Sequence, residues 1–88
     1  MKIVVNKCYG GFSLSKTGIK LLDLEDDFGV DRTNERLIEL VEANAPVSGR
    51  YANLAVVKIP DEATDWEINE YDGFESITYV LNGKLHHA

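Results

Sequence analysis

The stretch Lys2-Ile3-Val4-Val5-Asn6-Lys7 determines how the rest of the chain can be arranged. Its three central residues are β-branched and contiguous, without the apolar–polar alternation of a strand that has one face in water. This pattern predicts a strand that is covered on both faces. The dipeptide Gly10-Gly11 follows shortly afterwards and interrupts regular structure, so the chain is expected to turn before its next element.

Two helices are predicted after this strand. The first follows Ser13 or Ser15, either of which can cap its N-terminus. The second follows Thr33 or Asn34 and ends before Pro46, which cannot continue a helix. It is the clearest element of the chain, because its apolar residues recur with helical spacing at Leu37, Leu40 and Val41.

The second half of the chain predicts strands joined by tight turns. Three strands are expected, over residues 54–59, 66–71 and 74–81. Asp72-Gly73 predicts a two-residue hairpin turn, because both residues tolerate a positive φ. Asn82-Gly83 predicts a further short hairpin onto the C-terminal residues.

This order of elements, β-α-α-β-β-β, predicts an α+β fold in a single domain of residues 1–88. A hydrophobic content of 44% is enough for a folded core and excludes a disordered chain. We expect a three- or four-stranded mixed sheet with two helices on one face. The first two strands are joined through the helices and are expected to be parallel neighbours.

The net charge of −6 is unevenly distributed. Residues 1–58 hold equal numbers of acidic and basic side chains, whereas residues 61–75 hold seven acidic side chains and no basic one. A negative field of this kind repels nucleic acids and anionic membranes and attracts cationic surfaces. We therefore expect no direct nucleic-acid binding and no membrane association. The chain also lacks the apolar core of a signal peptide, which predicts a cytoplasmic location.

No combination of residues predicts catalysis, a metal site or a bound cofactor. Cys8 is a candidate nucleophile, but a nucleophilic cysteine needs a base beside it, and His86 and His87 lie at the C-terminal end. The two histidines are adjacent, so in an extended segment they point to opposite faces and do not share an ion easily. A single structural thiol is the favoured interpretation of Cys8, and it fits a reducing compartment.

The segment from Lys7 to Ser15 has two possible interpretations. A strand runs into two glycines and then into hydroxyl side chains at a helix start, an arrangement that can present backbone N–H groups to an anion. Tyr9 and Phe12 flank the glycines and could stack on a planar ring. The segment meets neither the P-loop pattern nor the dinucleotide-binding fingerprint. The alternative is a tight connection in which the glycines only permit unusual backbone angles.

The acidic stretch also has two interpretations, because it contains the aromatic residues Trp66, Tyr71 and Phe74. Its charges could protect an edge hairpin against pairing with other chains. Alternatively, acidic side chains between aromatic ones could dock on a basic partner surface. The candidate partner-binding residues are Glu67, Glu70, Asp72, Phe74 and Glu75.

Four phrases of the chain resemble a family of small, mostly uncharacterised proteins of tailed phages and prophages. They are Lys2-Ile3-Val4-Val5-Asn6-Lys7-Cys8-Tyr9-Gly10-Gly11-Phe12-Ser13-Leu14-Ser15, Ser48-Gly49-Arg50-Tyr51, Val56-Val57-Lys58-Ile59-Pro60-Asp61 and Trp66-Glu67-Ile68-Asn69-Glu70-Tyr71-Asp72-Gly73. After Gly73 the chain departs from the family pattern. The resemblance implies a phage accessory protein acting in the host cytoplasm and brings no catalytic assignment. Small phage proteins of this kind often act against host defence, as inhibitors of host nucleases or as proteins that sequester nucleotide immune signals.

Two functional hypotheses follow. In the first, the protein is a non-catalytic anti-defence factor that sequesters a small nucleotide-derived ligand, in a site formed between the subunits of a homo-oligomer. The expected ligand-binding residues are Lys7, Tyr9, Gly10, Gly11, Phe12, Ser13, Arg50, Trp66 and Tyr71. In the second, the acidic hairpin inhibits a host defence protein by blocking a basic surface, as an anti-CRISPR protein or a nucleic-acid mimic would. The first is favoured, because the resemblance is densest at the two glycines and at residues 66–73.

Overall fold

Five strands and two helices make up the computed structural model, which describes residues 1–88. In chain order they are β1 (Lys2–Asn6), α1 (Lys16–Leu21), α2 (Glu35–Glu42), β2 (Leu54–Lys58), β3 (Asp65–Tyr71), β4 (Phe74–Leu81) and β5 (Lys84–His87). The predicted α+β class and the predicted order of the elements are confirmed. The short C-terminal hairpin suggested by Asn82-Gly83 supplies the fifth strand.

The strands form two antiparallel sheets, so the expected single mixed sheet with a parallel first pair is wrong. β1 pairs with β2 over the register from Lys2 opposite Lys58 to Asn6 opposite Leu54. β3, β4 and β5 form a separate three-stranded meander. The connection between the two strands folds back on itself, since Leu14 and Ser48 form an antiparallel bridge and the Lys7 backbone N–H donates to the Asn53 carbonyl oxygen. β2 therefore starts beside the end of β1 and runs antiparallel to it.

The two-stranded sheet lies between the helices and the meander, which confirms that β1 is covered on both faces. Val4 contributes to an apolar cluster on the helical side, together with Leu14, Leu37, Leu40, Val47 and Leu54. Ile3 and Val5 point the other way and pack with Ile59 of the chain after β2 and Ile77 of β4. The contiguous run of β-branched residues in β1 therefore supplies both layers of the core.

Both helices begin at capping residues that the sequence indicates. Ser15 accepts a hydrogen bond from the Gly18 backbone N–H at 3.0 Å, and Asn34 accepts one from Leu37 at 2.9 Å. Gly18 lies inside α1 because a Cβ there would come within 3.0 Å of the Val47 carbonyl oxygen. Neither helix has the length and apolar character needed to cross a membrane.

Both predicted hairpin turns are confirmed. Asp72 and Gly73 have φ values of +52° and +89°, and Asn82 and Gly83 have values of +52° and +74°. Positive φ at both central residues is the geometry of a type I′ turn, whose twist matches that of the flanking strands. The first of these turns brings β4 back along β3, with Tyr71 paired opposite Phe74.

Candidate functional site

An open cleft of about 420 Å³ lies between the loop that follows β1 and the turn that joins β3 to β4. Its lining residues are Tyr9, Gly10, Gly11, Glu70, Asp72 and Gly73. The cleft therefore combines residues from the two sequence phrases in which the resemblance is densest. They are separated by some sixty residues of chain and meet only in the folded protein.

Close backbone contact joins the two sides of the cleft. A Cβ on Gly73 would lie 2.2 Å from the Gly11 nitrogen and 2.6 Å from the Gly10 nitrogen, closer than any side chain can approach. Only glycine at position 73 allows the turn to reach the loop in this way. On the opposite side, Gly10 packs against Tyr51, where a Cβ would come within 2.5 Å of the Tyr51 carbonyl oxygen.

Asn6, at the end of β1, links the segments that form the cleft. Its side chain is fully buried and its amide donates hydrogen bonds to the carbonyl oxygens of Cys8, at 2.7 Å, and Gly73, at 2.8 Å. Its amide oxygen accepts a hydrogen bond from the Asn53 backbone N–H at 2.8 Å. Sequence reasoning missed this residue. The available signal was a polar side chain at the end of an apolar strand, directly before a glycine-rich loop.

A largely buried ion pair between Arg32 and Glu75 links the segment before α2 to β4. Arg32 forms two parallel hydrogen bonds with the Glu75 carboxylate, at 2.7 and 3.0 Å, and its guanidinium lies 3.6 Å from the centre of the Phe12 ring. Glu75 also accepts a hydrogen bond from the Asn6 backbone N–H. Glu75 is only 6% exposed, so it holds the sheet to the loop and is not available to a partner. Phe12 is likewise covered by Arg32 instead of facing the cleft.

Several of the expected ligand-binding residues do gather at this end of the molecule. Tyr9 lines the cleft and is 64% exposed. Tyr71 is 78% exposed and directly precedes the lining residue Asp72, but it is not part of the lining itself. Lys7 lies over the Phe74 ring, at 5.3 Å, and Phe74 lies 5.4 Å from Tyr9. The Lys7 ammonium donates a hydrogen bond to a backbone carbonyl of β4.

Arg50 does not line the cleft. Its guanidinium lies 5.4 Å from the ring of Tyr51, the residue that packs against Gly10. The cleft itself is lined by two carboxylates, from Glu70 and Asp72, and by no basic side chain. Glu70 is partly engaged, because its carboxylate accepts a hydrogen bond from the Gly73 backbone N–H.

Besides Phe12, two further expected ligand-binding residues, Ser13 and Trp66, lie away from the cleft. The Ser13 side chain faces Gly49, because a Cβ on Gly49 would collide with the Ser13 hydroxyl. The Ser13 carbonyl oxygen also accepts a hydrogen bond from the Gly49 backbone N–H at 2.9 Å. Trp66 lies near the far end of β3, five residues or about 16 Å from Tyr71. Its indole packs against the apolar cluster below the meander. Sequence proximity placed both residues in the site, but the strand direction and the loop path separate them from it.

Asp65 and Glu67 form an exposed acidic row on β3, a strand with one free edge. β3 is the outer strand of the meander and pairs only with β4. Glu70 is also exposed, but it lies on the other face of the strand and lines the cleft, as does Asp72 in the turn. Free strand edges invite pairing with other chains, and a row of like charges discourages that pairing.

Cys8 and the histidines are far apart in the fold. The Cys8 thiol is half-buried and lies 3.8 Å from the Tyr9 carbonyl oxygen, a weak contact. His86 stacks on Tyr79, with 5.3 Å between the ring centres, at the opposite end of β4 from the cleft. No histidine therefore lies beside the thiol to act as a base.

The carboxyl groups with shifted acidity lie outside the cleft. The hydroxyl and the backbone N–H of Thr33 donate hydrogen bonds to Asp31 and hold its pKa below the ordinary value. The pKa of Asp61 is lowered by the chain's amino-terminal ammonium group, which forms a hydrogen bond and an ion pair with it. Neither carboxyl belongs to the cleft, so these shifts identify no acid–base group there.

Comparison with known proteins gives no match: no family model, no curated protein and no solved structure matches the chain. The geometry of the cleft is therefore the structural observation that bears on function, and the resemblance of the four phrases to a phage family stays a prediction.

Proposed function

We propose that this protein is a non-catalytic anti-defence factor of a phage or prophage, which acts in the host cytoplasm by sequestering a small nucleotide-derived ligand. One observation carries the proposal. Two sets of residues from the two phrases with the strongest resemblance line a single cleft: Tyr9, Gly10 and Gly11, and Glu70, Asp72 and Gly73. The packing that joins them is specific, since Gly73 leaves no room for a side chain against the loop.

The lining of the cleft fits the parts of a nucleotide. The exposed ring of Tyr9 offers a surface on which a base can stack. The carboxylates of Glu70 and Asp72 suit ribose hydroxyls or an exocyclic amine, as acidic residues do in dinucleotide-binding folds. Lys7 and Arg50, which lie over the rings of Phe74 and Tyr51, are the cations that we assign to the phosphates.

The size and shape of the cleft favour a site completed by a second subunit. About 420 Å³ lies within the range of small-ligand pockets, which is roughly 300–1,000 Å³. Such pockets usually bury most of the ligand, whereas this cleft is open on one side. A homo-oligomer in which a second copy covers the open side would provide that burial.

The direct test is isothermal titration calorimetry with cyclic di-AMP, cyclic di-GMP and ADP-ribose, accompanied by native mass spectrometry. We expect one nucleotide to bind and Tyr9→Ala to weaken it about tenfold or more, since base stacking is worth about 1–3 kcal/mol. Asp72→Asn keeps the turn and removes one carboxylate, so it tests the polar contacts separately. Phe28→Ala is the matched control, because Phe28 is an exposed aromatic side chain far from the cleft.

Two results would contradict the ligand-binding proposal. One is that none of the nucleotides binds, with no bound mass on protein purified from cells with an active defence system. The other is that Tyr9→Ala and Phe28→Ala weaken binding equally, because the cleft would then not be the site.

The acidic row on β3 supports a second candidate function, inhibition of a host defence protein through a basic surface. Asp65 and Glu67 are exposed on a free strand edge, where they can meet cationic side chains. The double variant Asp65→Lys/Glu67→Lys should then abolish inhibition. The control variant Glu35→Lys/Glu39→Lys changes the net charge by the same amount on α2 and should leave inhibition intact. If the two double variants lost inhibition equally, the acidic row on β3 would not be the inhibitory surface.

A further inference from the structure

The loop between α1 and α2 exposes an apolar surface that the cleft does not use. Phe28 is 93% exposed and Leu24 is 39% exposed. Together with Leu22 and Val30 they line a hollow of about 270 Å³, which we call the Phe28 hollow. Single exposed apolar residues are normal, but several around one hollow indicate a contact surface.

Hydrogen bonds within the loop keep the Phe28 side chain exposed to solvent. The Asp26 carboxylate accepts a hydrogen bond from the Phe28 backbone N–H at 2.9 Å, closing a local turn. Gly29 follows with a φ of +68°, and Asp27 anchors the loop to the helical layer by accepting the Leu14 backbone N–H at 3.0 Å. The hydrogen bonds of Asp26 and Asp27 and the positive φ of Gly29 therefore define the turn that exposes the Phe28 ring.

The loop that carries the Phe28 hollow is acidic. Asp31 lines the hollow, and Asp23, Glu25 and Asp26 are exposed in the same loop. Arg32 is the only basic residue between α1 and α2, and its guanidinium is already paired with Glu75. The hollow thus has an apolar floor and a negative rim.

This combination selects among the possible occupants. A second copy of the chain would bring two negative rims together, and like charges at an interface oppose association. An extended peptide could not add to a sheet here, since the hollow is lined by residues of the α1–α2 connection and by no strand. An amphipathic helix needs only an apolar groove and complementary charge.

We propose that the Phe28 hollow binds a basic amphipathic helix of a partner protein. The apolar face of the helix covers Phe28 and inserts a side chain into the hollow, while its Lys or Arg residues meet the acidic rim. This surface shares no residue with the cleft, so it gives the protein a second contact that does not depend on the ligand-binding proposal.

The test measures fluorescence anisotropy of a labelled synthetic helix that has leucines on one face and lysines on the other. The full chain should bind it, and Phe28→Ser should weaken binding about tenfold or more, the effect of losing one large apolar contact. Tyr71→Ser is the matched control, because it removes a similarly exposed aromatic side chain beside the acidic residues of β3. A helix with glutamates in place of the lysines should not bind.

Each other outcome would overturn the proposal. Absence of binding to the leucine–lysine helix, or equal binding of the glutamate helix, would remove the basic amphipathic partner. Unchanged binding by both Phe28→Ser and Tyr71→Ser would show attraction to net charge alone, and equal weakening by both would show that the Phe28 hollow is not the specific site. A dimer in analytical ultracentrifugation that Phe28→Ser abolishes would identify a second copy as the occupant. Unchanged thermal melting of Phe28→Ser would establish that the variant is folded.

Discussion

Replacing Asn6 by alanine tests whether one buried amide holds together the segments that form the cleft. The substitution removes three side-chain hydrogen bonds, to the Cys8 carbonyl, the Gly73 carbonyl and the Asn53 N–H, with lengths of 2.7–2.8 Å. It leaves the backbone of β1 unchanged. The three groups that lose their partner belong to the loop, the turn and the entry to β2.

The expected loss of stability is about 3 kcal/mol. Each of the three hydrogen bonds contributes about 1 kcal/mol net, so losing all three costs about 3 kcal/mol. The loss is not smaller as long as the three partner groups stay buried and no water replaces the amide. A domain of this length has roughly 4–13 kcal/mol of stability in total. Asn6 therefore accounts for a large share of it, although it is a polar residue in an apolar core.

Urea denaturation followed by the fluorescence of Trp66 measures this loss. Trp66 is the only tryptophan and packs on the apolar cluster between the two sheets, so its emission reports their separation. The midpoint should fall by about 1–3 M urea, since the urea m value of a small protein is about 1–3 kcal/mol/M. Asn69→Ala is the control, since its half-buried side chain donates one bond, to the Thr78 hydroxyl at 3.1 Å. Equal destabilisation by the two variants would refute the role assigned to Asn6.

Three further predictions concern the same region and its surroundings. Gly73→Ala should destabilise the fold by at least about 2 kcal/mol more than Gly83→Ala, because both have positive φ but only Gly73 meets backbone atoms; equal urea midpoints would contradict this. Glu75→Gln should cost about 3 kcal/mol, since it leaves the guanidinium beside it without a counter-charge, and a loss below about 1 kcal/mol would show that the pair is dispensable. Thr33→Val should raise the pKa of Asp31 toward its ordinary value, as measured by NMR titration. Because that pKa is lowered in the folded protein, the small stabilisation from Asp31 is present above the acid range and is lost as the pH falls through it, and Thr33→Val should reduce this acid dependence.

Local features of the sequence were sufficient to predict the elements and their ends. Ser15 and Asn34 cap the helices as expected, and Asp72-Gly73 and Asn82-Gly83 form the two hairpin turns. The run Ile3-Val4-Val5 predicted a strand covered on both faces, and it supplies both core layers. These features depend on residues a few positions apart, so the chemistry that decides them can be read along the chain.

The candidate site was predictable in part, for the same reason. Tyr9, Gly10 and Gly11 line the cleft that their pattern suggested. Phe12, their neighbour, does not, because the Arg32 guanidinium covers its ring. Trp66 was grouped with Tyr71 by sequence, but the extended strand between them sets the two side chains about 16 Å apart.

The sequence by itself determined where helices, strands and turns form, because capping, alternation and turn chemistry act between near neighbours. Only the tertiary structure decided that β1 and β2 run antiparallel, that the strands divide into two sheets, and which residues face the cleft. Asn6 and Gly73 are 67 positions apart, and Asn6 and Glu75 are 69 apart. Contacts of this kind depend on the path of the whole chain, and no local pattern of residues encodes them.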